Sequence, residues 1–130
     1  MALTLLLGGA RSGKSALAVR AARGWGGPVE VVVTAEARDV EMAARIRRHR
    51  AERPAGWRTV EAPRELEAAL EGAAPGALVI VDCLTLWVAN LMEQGLDDPA
   101  VARRAGASAA LAAARAAPTL AISNEVGSGV

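Results

Sequence analysis

At 130 residues the chain is long enough for one α/β domain with its own core, and no linker-like Pro/Ser-rich tract divides it. Apolar residues make up 52% and charged residues 22%, a globular balance, and a net charge of +1 argues against a broad nucleic-acid or membrane-binding surface. Small molecules are the expected partners.

The chain opens on an apolar run, Leu3 to Leu7, that reads as a strand. It is too short for the core of a signal peptide, carries no basic residue ahead of it, and nothing further along approaches a membrane span. A single cysteine, Cys83, cannot close an intrachain disulfide, so the expected location is the reducing cytoplasm. Directly after the strand comes Gly8-Gly9-Ala10-Arg11-Ser12-Gly13-Lys14-Ser15, followed by an apolar-periodic segment through Leu17, Val19 and Ala21. Strand, G-x-x-x-x-G-K-S and helix in that order make a P-loop, whose glycines let backbone N–H groups converge on a polyphosphate at the positive end of the helix. Lys14, the only lysine of the chain, is expected to reach the β- and γ-phosphates, and the hydroxyl of Ser15 to ligate Mg2+.

Val29 to Thr34 is a β-branched run suited to a strand buried on both faces, ending in Thr34-Ala35-Glu36 at the same sheet edge as the P-loop. Asp39 caps an expected helix from Val40 to about Ala51, along which Met42, Ile46, His49 and Arg53 form one stripe. Pro54 closes it, and Trp57 to Glu61 is extended. Pro63 suits the first position of a helix carrying Leu66, Ala69 and Leu70 and stopped near Gly72. Ala77 to Asp82 has the form of a Walker B strand, with Asp82 holding magnesium directly or through water. Cys83 reads as a small buried residue. Thr85 is expected to cap a largely apolar helix from Leu86 to Gln94, ended by Gly95. Asp98 and Pro99 begin a long Ala-rich helix to about Ala117, and Thr119 to Asn124 is the last strand. Strands alternating with helices predict one P-loop α/β domain spanning 1–130, a parallel sheet covered on both faces.

The most informative segment is Glu41 to Pro54, where the only histidine, His49, lies among five arginines. A histidine alone says little, but guanidinium groups attract a triphosphate and an imidazole can attack phosphorus. Together with Gly8 to Ser15, Trp57-Arg58-Thr59-Val60-Glu61, the run Val81 to Leu91 and Asn124-Glu125-Val126-Gly127, this segment resembles the bifunctional adenosylcobinamide kinase and adenosylcobinamide-phosphate guanylyltransferase family of cobalamin biosynthesis. The resemblance covers the whole chain. It implies phosphorylation of adenosylcobinamide by ATP or GTP, then transfer of GMP from GTP to adenosylcobinamide phosphate through a phosphoramidate on His49. Nucleotide contacts carry over to Gly8, Gly9, Ala10, Arg11, Ser12, Gly13, Lys14, Ser15, Thr34, Ala35, Glu36, Arg50, Ala51, Glu52, Arg53, Glu61 and Asp82, with His49 and Lys14 catalytic and Ser15 and Asp82 on the metal. A homotrimer is also implied.

The family's pattern continues past the Asn124 to Gly127 block, whereas this sequence stops at Val130. The expectation is therefore a domain lacking the family's C-terminal portion, with apolar surface exposed where that portion packs. Two other readings accommodate the P-loop: a different small-molecule kinase, in which His49 merely faces phosphate, and a nucleotide-sensing module without chemistry. Neither accounts for the arginine-flanked histidine together with the Asn124 block.

Overall fold

In the computed structural model the described residues are 3–8 and 13–124. They form β1 (Leu3–Gly8), α1 (Lys14–Arg23), β2 (Val29–Val33), α2 (Val40–Ala51), β3 (Arg58–Glu61), α3 (Leu66–Gly72), β4 (Leu78–Asp82), α4 (Leu84–Glu93), α5 (Asp98–Ala114) and β5 (Thr119–Asn124). The five strands pair in parallel in the order β1-β5-β4-β2-β3. This is the expected α/β architecture, with helices on both faces.

The strands take their places by composition. β2 is buried at every residue, including Glu30, whose carboxylate accepts from Ala74 N–H at 2.9 Å, and β4 at all but its terminal Asp82, as strands covered on both faces are. Val29, Val31, Leu78, Ile80, Leu120 and Ile122 share one face with Ala18 and Ala22 of α1. Val32, Val79, Val81 and Ala121 lie in the opposite core, with Leu66 and Leu70 of α3, Trp87 and Leu91 of α4, and Ala112 of α5. The edge strand β1 behaves differently. Leu6 packs against the α1-side core, but Leu3, Leu5 and Leu7 are 40%, 50% and 60% exposed. No residue of α2 is buried, so this helix flanks the core rather than filling it.

Connectivity reverses between β2 and β4: β2 runs on to β3 at one edge, β4 to β5 on the other side. In open parallel sheets the carboxyl ends of such strands border the ligand crevice. Thr34 follows one of them and Asp82 ends the other, their backbones joined by Thr34 N–H donating to Asp82 O at 3.1 Å.

Several boundaries differ from the sequence reading. Asp39 caps α2 as expected, its Oδ1 accepting from Met42 N–H at 2.7 Å. Thr85, however, lies inside α4. The extended residue before that helix is Cys83, and the Thr85 hydroxyl sits 3.3 Å from that of Ser123. Pro63 precedes α3 instead of starting it, because the turn's carbonyls are used by other helices: Asn90 Nδ2 donates to Pro63 O at 2.9 Å, and Trp87 Nε1 to Arg64 O at 3.0 Å. α5 begins at Asp98 as expected, and Asp97 caps it, accepting from Ala100 N–H at 3.0 Å. That helix ends at Ala114, before the expected Ala117, where Arg115 turns extended and reaches the carbonyl of Ala77. Among the described residues, no helix is long and apolar enough to cross a membrane.

One ion pair ties α3 to α5. Arg104 donates through Nε and Nη2 to the two oxygens of Glu67, the latter bond being 2.9 Å, and its guanidinium lies 5.9 Å from the centre of the Trp87 ring. The hydrogen bonds from Arg104 hold the Glu67 carboxyl below the ordinary carboxylate range. A depressed folded-state pKa means that the unfolded chain takes up this proton first, so the stabilisation is present at neutral pH and is lost as pH falls through the folded value. The gap in unfolding midpoint between the protein and Glu67→Gln is expected to narrow as pH falls below the ordinary glutamate range and to close once the folded carboxyl is protonated. A gap that stays constant down to pH 3 would show that the charge contributes nothing.

Candidate functional site

The site begins where β1 stops. Gly8 and Gly13 both take positive φ, 152° and 81°, a region that side chains rarely tolerate, so the glycines at the two ends of the loop are demanded by its backbone. Gly13 is the N-cap of α1 and its carbonyl accepts from Leu17 N–H at 3.0 Å. The helix therefore opens at the carboxyl edge of the sheet, with its positive end there. Gly9, Ala10, Arg11 and Ser12 lie outside the described residues, as do the side chains of Lys14 and Ser15.

From this edge the sheet register leads to Asp82. Leu6 of β1 is level with Ile122 of β5, and Ile122 with Asp82 of β4. One strand thus separates the P-loop strand from the Asp82 strand. At about 4.8 Å per strand, Leu6 and Asp82 lie about 10 Å apart, and β1 runs on two residues to Gly8, leaving a gap for a polyphosphate to bridge.

A cleft of about 290 Å3 opens on the α1 side of this edge. Its polar lining comes from Arg20 and Arg23 of α1, from His49, Glu52 and Arg53 at the end of α2, and from Asp82. Arg53 Nη2 lies 3.5 Å from Asp82 Oδ2, with the arginine side chain 7% and the aspartate 19% exposed. Burial pushes the Arg53 pKa down, and the Asp82 charge opposes that shift. The arrangement is a largely desolvated cation facing a carboxylate that still meets the cleft. Both charges are well placed to exchange partners with a phosphate and a metal ion.

The stripe read along α2 divides between two clefts. His49 and Arg53 line the first, while Ile46 lines a second of about 390 Å3 together with Ala35, Glu36, Arg47, Arg50 and Glu61. Glu36 accepts from Arg38 at 3.1 Å and from Arg64 at 2.9 Å. These bonds, the one from Arg38 first, hold its carboxyl below the ordinary range. Ala51 ends α2 exposed to solvent. Thr34 is fully buried, its hydroxyl hydrogen-bonded to the backbone of Cys83. Of the residues expected to meet nucleotide, the structure therefore gathers His49, Glu52, Arg53 and Asp82 in one cleft and Ala35, Glu36, Arg50 and Glu61 in the other.

Arg20 and Arg23 were not singled out from the sequence. Their signal was available, since two arginines at i,i+3 in a P-loop helix share a face.

Asp82 is a reasonable ligand for the implied magnesium. Among the described residues, no cluster of three or more His, Cys, Asp or Glu could hold a metal ion by itself. A lone, partly exposed carboxylate suits a Mg2+ ion that completes its shell with water and substrate phosphates.

Comparison with known proteins places the sequence in a family. Residues 4–130 match the model of a family described as cobinamide kinase / cobinamide phosphate guanyltransferase. The bifunctional adenosylcobalamin biosynthesis protein CobP of Pseudomonas aeruginosa is 54% identical over 96 residues, 73% of this chain and 54% of that protein. The bifunctional adenosylcobalamin biosynthesis proteins CobU of Salmonella typhimurium and Escherichia coli are each 42% identical over 91 residues, 69% of this chain and 50% of theirs. The chain spans about half the length of the curated relatives it matches.

Proposed function

Since the chain belongs to the cobinamide kinase / cobinamide phosphate guanyltransferase family, we propose that it serves both halves of that chemistry. It phosphorylates the aminopropanol hydroxyl of adenosylcobinamide with ATP or GTP, then transfers GMP from GTP to the new phosphate, giving adenosylcobinamide-GDP and pyrophosphate. The observation that carries the proposal is the cleft in which His49, Arg53 and Asp82 meet beside α1.

The residues divide the work by chemistry. The P-loop backbone and Lys14 hold the β- and γ-phosphates, the part of the nucleotide common to both reactions. Ser15 and Asp82 would hold a magnesium ion, which would supply positive charge to the leaving group. In guanylyl transfer a ring nitrogen of His49 attacks the α-phosphorus of GTP; a P–N bond forms as the bond from that phosphorus to pyrophosphate breaks. A phosphate oxygen of adenosylcobinamide phosphate then attacks the same phosphorus, and the imidazole leaves. Arg53 and the arginines of α1 supply positive charge where the α-phosphoryl group carries its negative charge in the transition state. The second cleft, with Glu36 and Glu61 as acceptors and Arg47 and Arg50 as donors, offers groups suited to the nucleoside part of GTP.

The test is incubation of the protein with adenosylcobinamide, magnesium and GTP labelled separately at the γ- and α-phosphates. Label from the γ position should appear in adenosylcobinamide phosphate, and label from the α position in adenosylcobinamide-GDP. Products carrying only γ-label would reduce the protein to a kinase, and no product from either label to a sensor. In the same assay, Asp82→Asn is expected to raise the magnesium concentration for half-maximal rate about 10-fold, with little change in unfolding midpoint. Overlaid magnesium titrations would remove Asp82 from the metal shell.

A further inference from the structure

Thr34 and Asn90 make a closed set of buried hydrogen bonds directly behind Asp82. Thr34 is 0% and Asn90 4% exposed. The Thr34 hydroxyl donates to Cys83 O at 2.8 Å and accepts from Cys83 N–H at 3.0 Å, while Thr34 N–H donates to Asp82 O at 3.1 Å. The peptide that leaves Asp82 is thus gripped through its carbonyl and its N–H, and the next carbonyl is gripped as well. Thr34 is held in turn, its own carbonyl accepting from Asn90 Nδ2 at 2.9 Å. That amide nitrogen also donates to Pro63 O at 2.9 Å, and Asn90 stands on α4, which starts at Leu84, one residue beyond Cys83. The circuit therefore ties the ends of β2 and β4, the turn before α3, and α4 into one unit.

An aspartate whose backbone is fixed on its C-terminal side has little left to vary except its side-chain torsions. Its carboxylate already faces the cleft, 3.5 Å from Arg53. We propose that Thr34 and Asn90 are positioning residues for Asp82, and that they set the magnesium dependence of nucleotide binding without touching the nucleotide through their side chains. This assigns Asn90 a role that its place in an apolar helix conceals, and it gives Thr34 an indirect role, because Cys83 takes both the donor and an acceptor of its hydroxyl. The inference rests on the reading of Asp82 as a ligand of the nucleotide-bound metal.

The experiment is equilibrium binding by calorimetry of α,β-methylene-GTP, which cannot transfer GMP, with magnesium and with chelator, for the protein and for Thr34→Val, Thr34→Ser, Asn90→Ala, Asp82→Asn and the double variant Asp82→Asn/Thr34→Val. Thr34→Val keeps the shape and removes the hydroxyl. It should weaken binding about 10-fold in magnesium, the usual scale for losing a group that orients a metal ligand, and change it less than about twofold in chelator. Thr34→Ser should restore the magnesium-dependent affinity. In the Asp82→Asn background, Thr34→Val should add nothing further, since both changes act through one carboxylate. Asn90→Ala should show the same magnesium-specific loss, and it supplies the result if Thr34→Val does not fold in a thermal scan. Equal weakening with and without magnesium, or losses that add in the double variant, would overturn the inference while leaving the function intact. An Asp82→Asn variant that keeps the full effect of magnesium would overturn the metal reading of Asp82 and the positioning role with it.

Discussion

Lys14→Ala is expected to depress both phosphorylation of adenosylcobinamide and guanylyl transfer, each by about 100-fold or more, with little change in unfolding midpoint. The two reactions break different bonds, at the γ-phosphorus in the first and at the α-phosphorus in the second. They share the β- and γ-phosphates, which are the remaining nucleotide and the transferred group in one case and the leaving pyrophosphate in the other. In the proposed chemistry Lys14, the residue after Gly13 with its φ of 81°, would serve both reactions, because charge builds on the same oxygens. No other lysine exists to replace it, and a guanidinium is too broad and planar to act as the same point charge. If only one activity fell, the protein would need two triphosphate sites.

His49→Ala should divide the activities that Lys14→Ala lowers together. Guanylyl transfer is expected to fall to background, since the covalent carrier is gone, while kinase activity stays within about 10-fold of the parent. The exposed position of His49 at the end of a helix with no buried residue makes the substitution nearly free of structural cost. Parallel kinetics on the two half-reactions read the result. Equal loss of both would make His49 a binding residue for the triphosphate.

Much of the fold was legible because its signals are local. The β-branched run of β2, the apolar stretch of β4 closed by Asp82, and the side-chain cap at Asp39 each follow from a few adjacent residues. Where the reading failed, distant partners decided. Pro63 looked like a helix start, but Asn90 and Trp87 take the carbonyls of its turn. Thr85 looked like a cap, but Thr34 already engages the backbone just before the helix. Strand order could not be read either. That β5 lies between the P-loop strand and the Asp82 strand, and that β1 leaves Leu3, Leu5 and Leu7 exposed at an edge, are outcomes of packing over the whole sheet.

The candidate site shows the same division. His49, Arg53 and Asp82 were each visible as residues of the right chemistry, and a shared side for the first two was suggested by their i,i+4 spacing, although Arg53 lies two residues past the end of α2. The separation of Ala35, Glu36, Arg50 and Glu61 into another cleft was not, because it depends on which flank of α2 each residue meets. Asn90 escaped notice as a single amide in an apolar helix. Its burial on the helix face that carries Trp87 and Leu91 is what turns it from a tolerated polar residue into a clamp on two carbonyls.

Whether His49 carries GMP can be measured without any corrinoid. The protein is incubated with magnesium and GTP labelled at the α-phosphate, denatured in alkali and separated from free nucleotide, with His49→Ala alongside. A phosphoramidate withstands base, whereas an acyl phosphate on Asp or Glu does not, so the chemistry of the bond identifies the carrier. Label should be retained in the protein, lost on mild acid treatment and missing from His49→Ala. Protein without label, or label equal in the variant, would remove His49 from the mechanism.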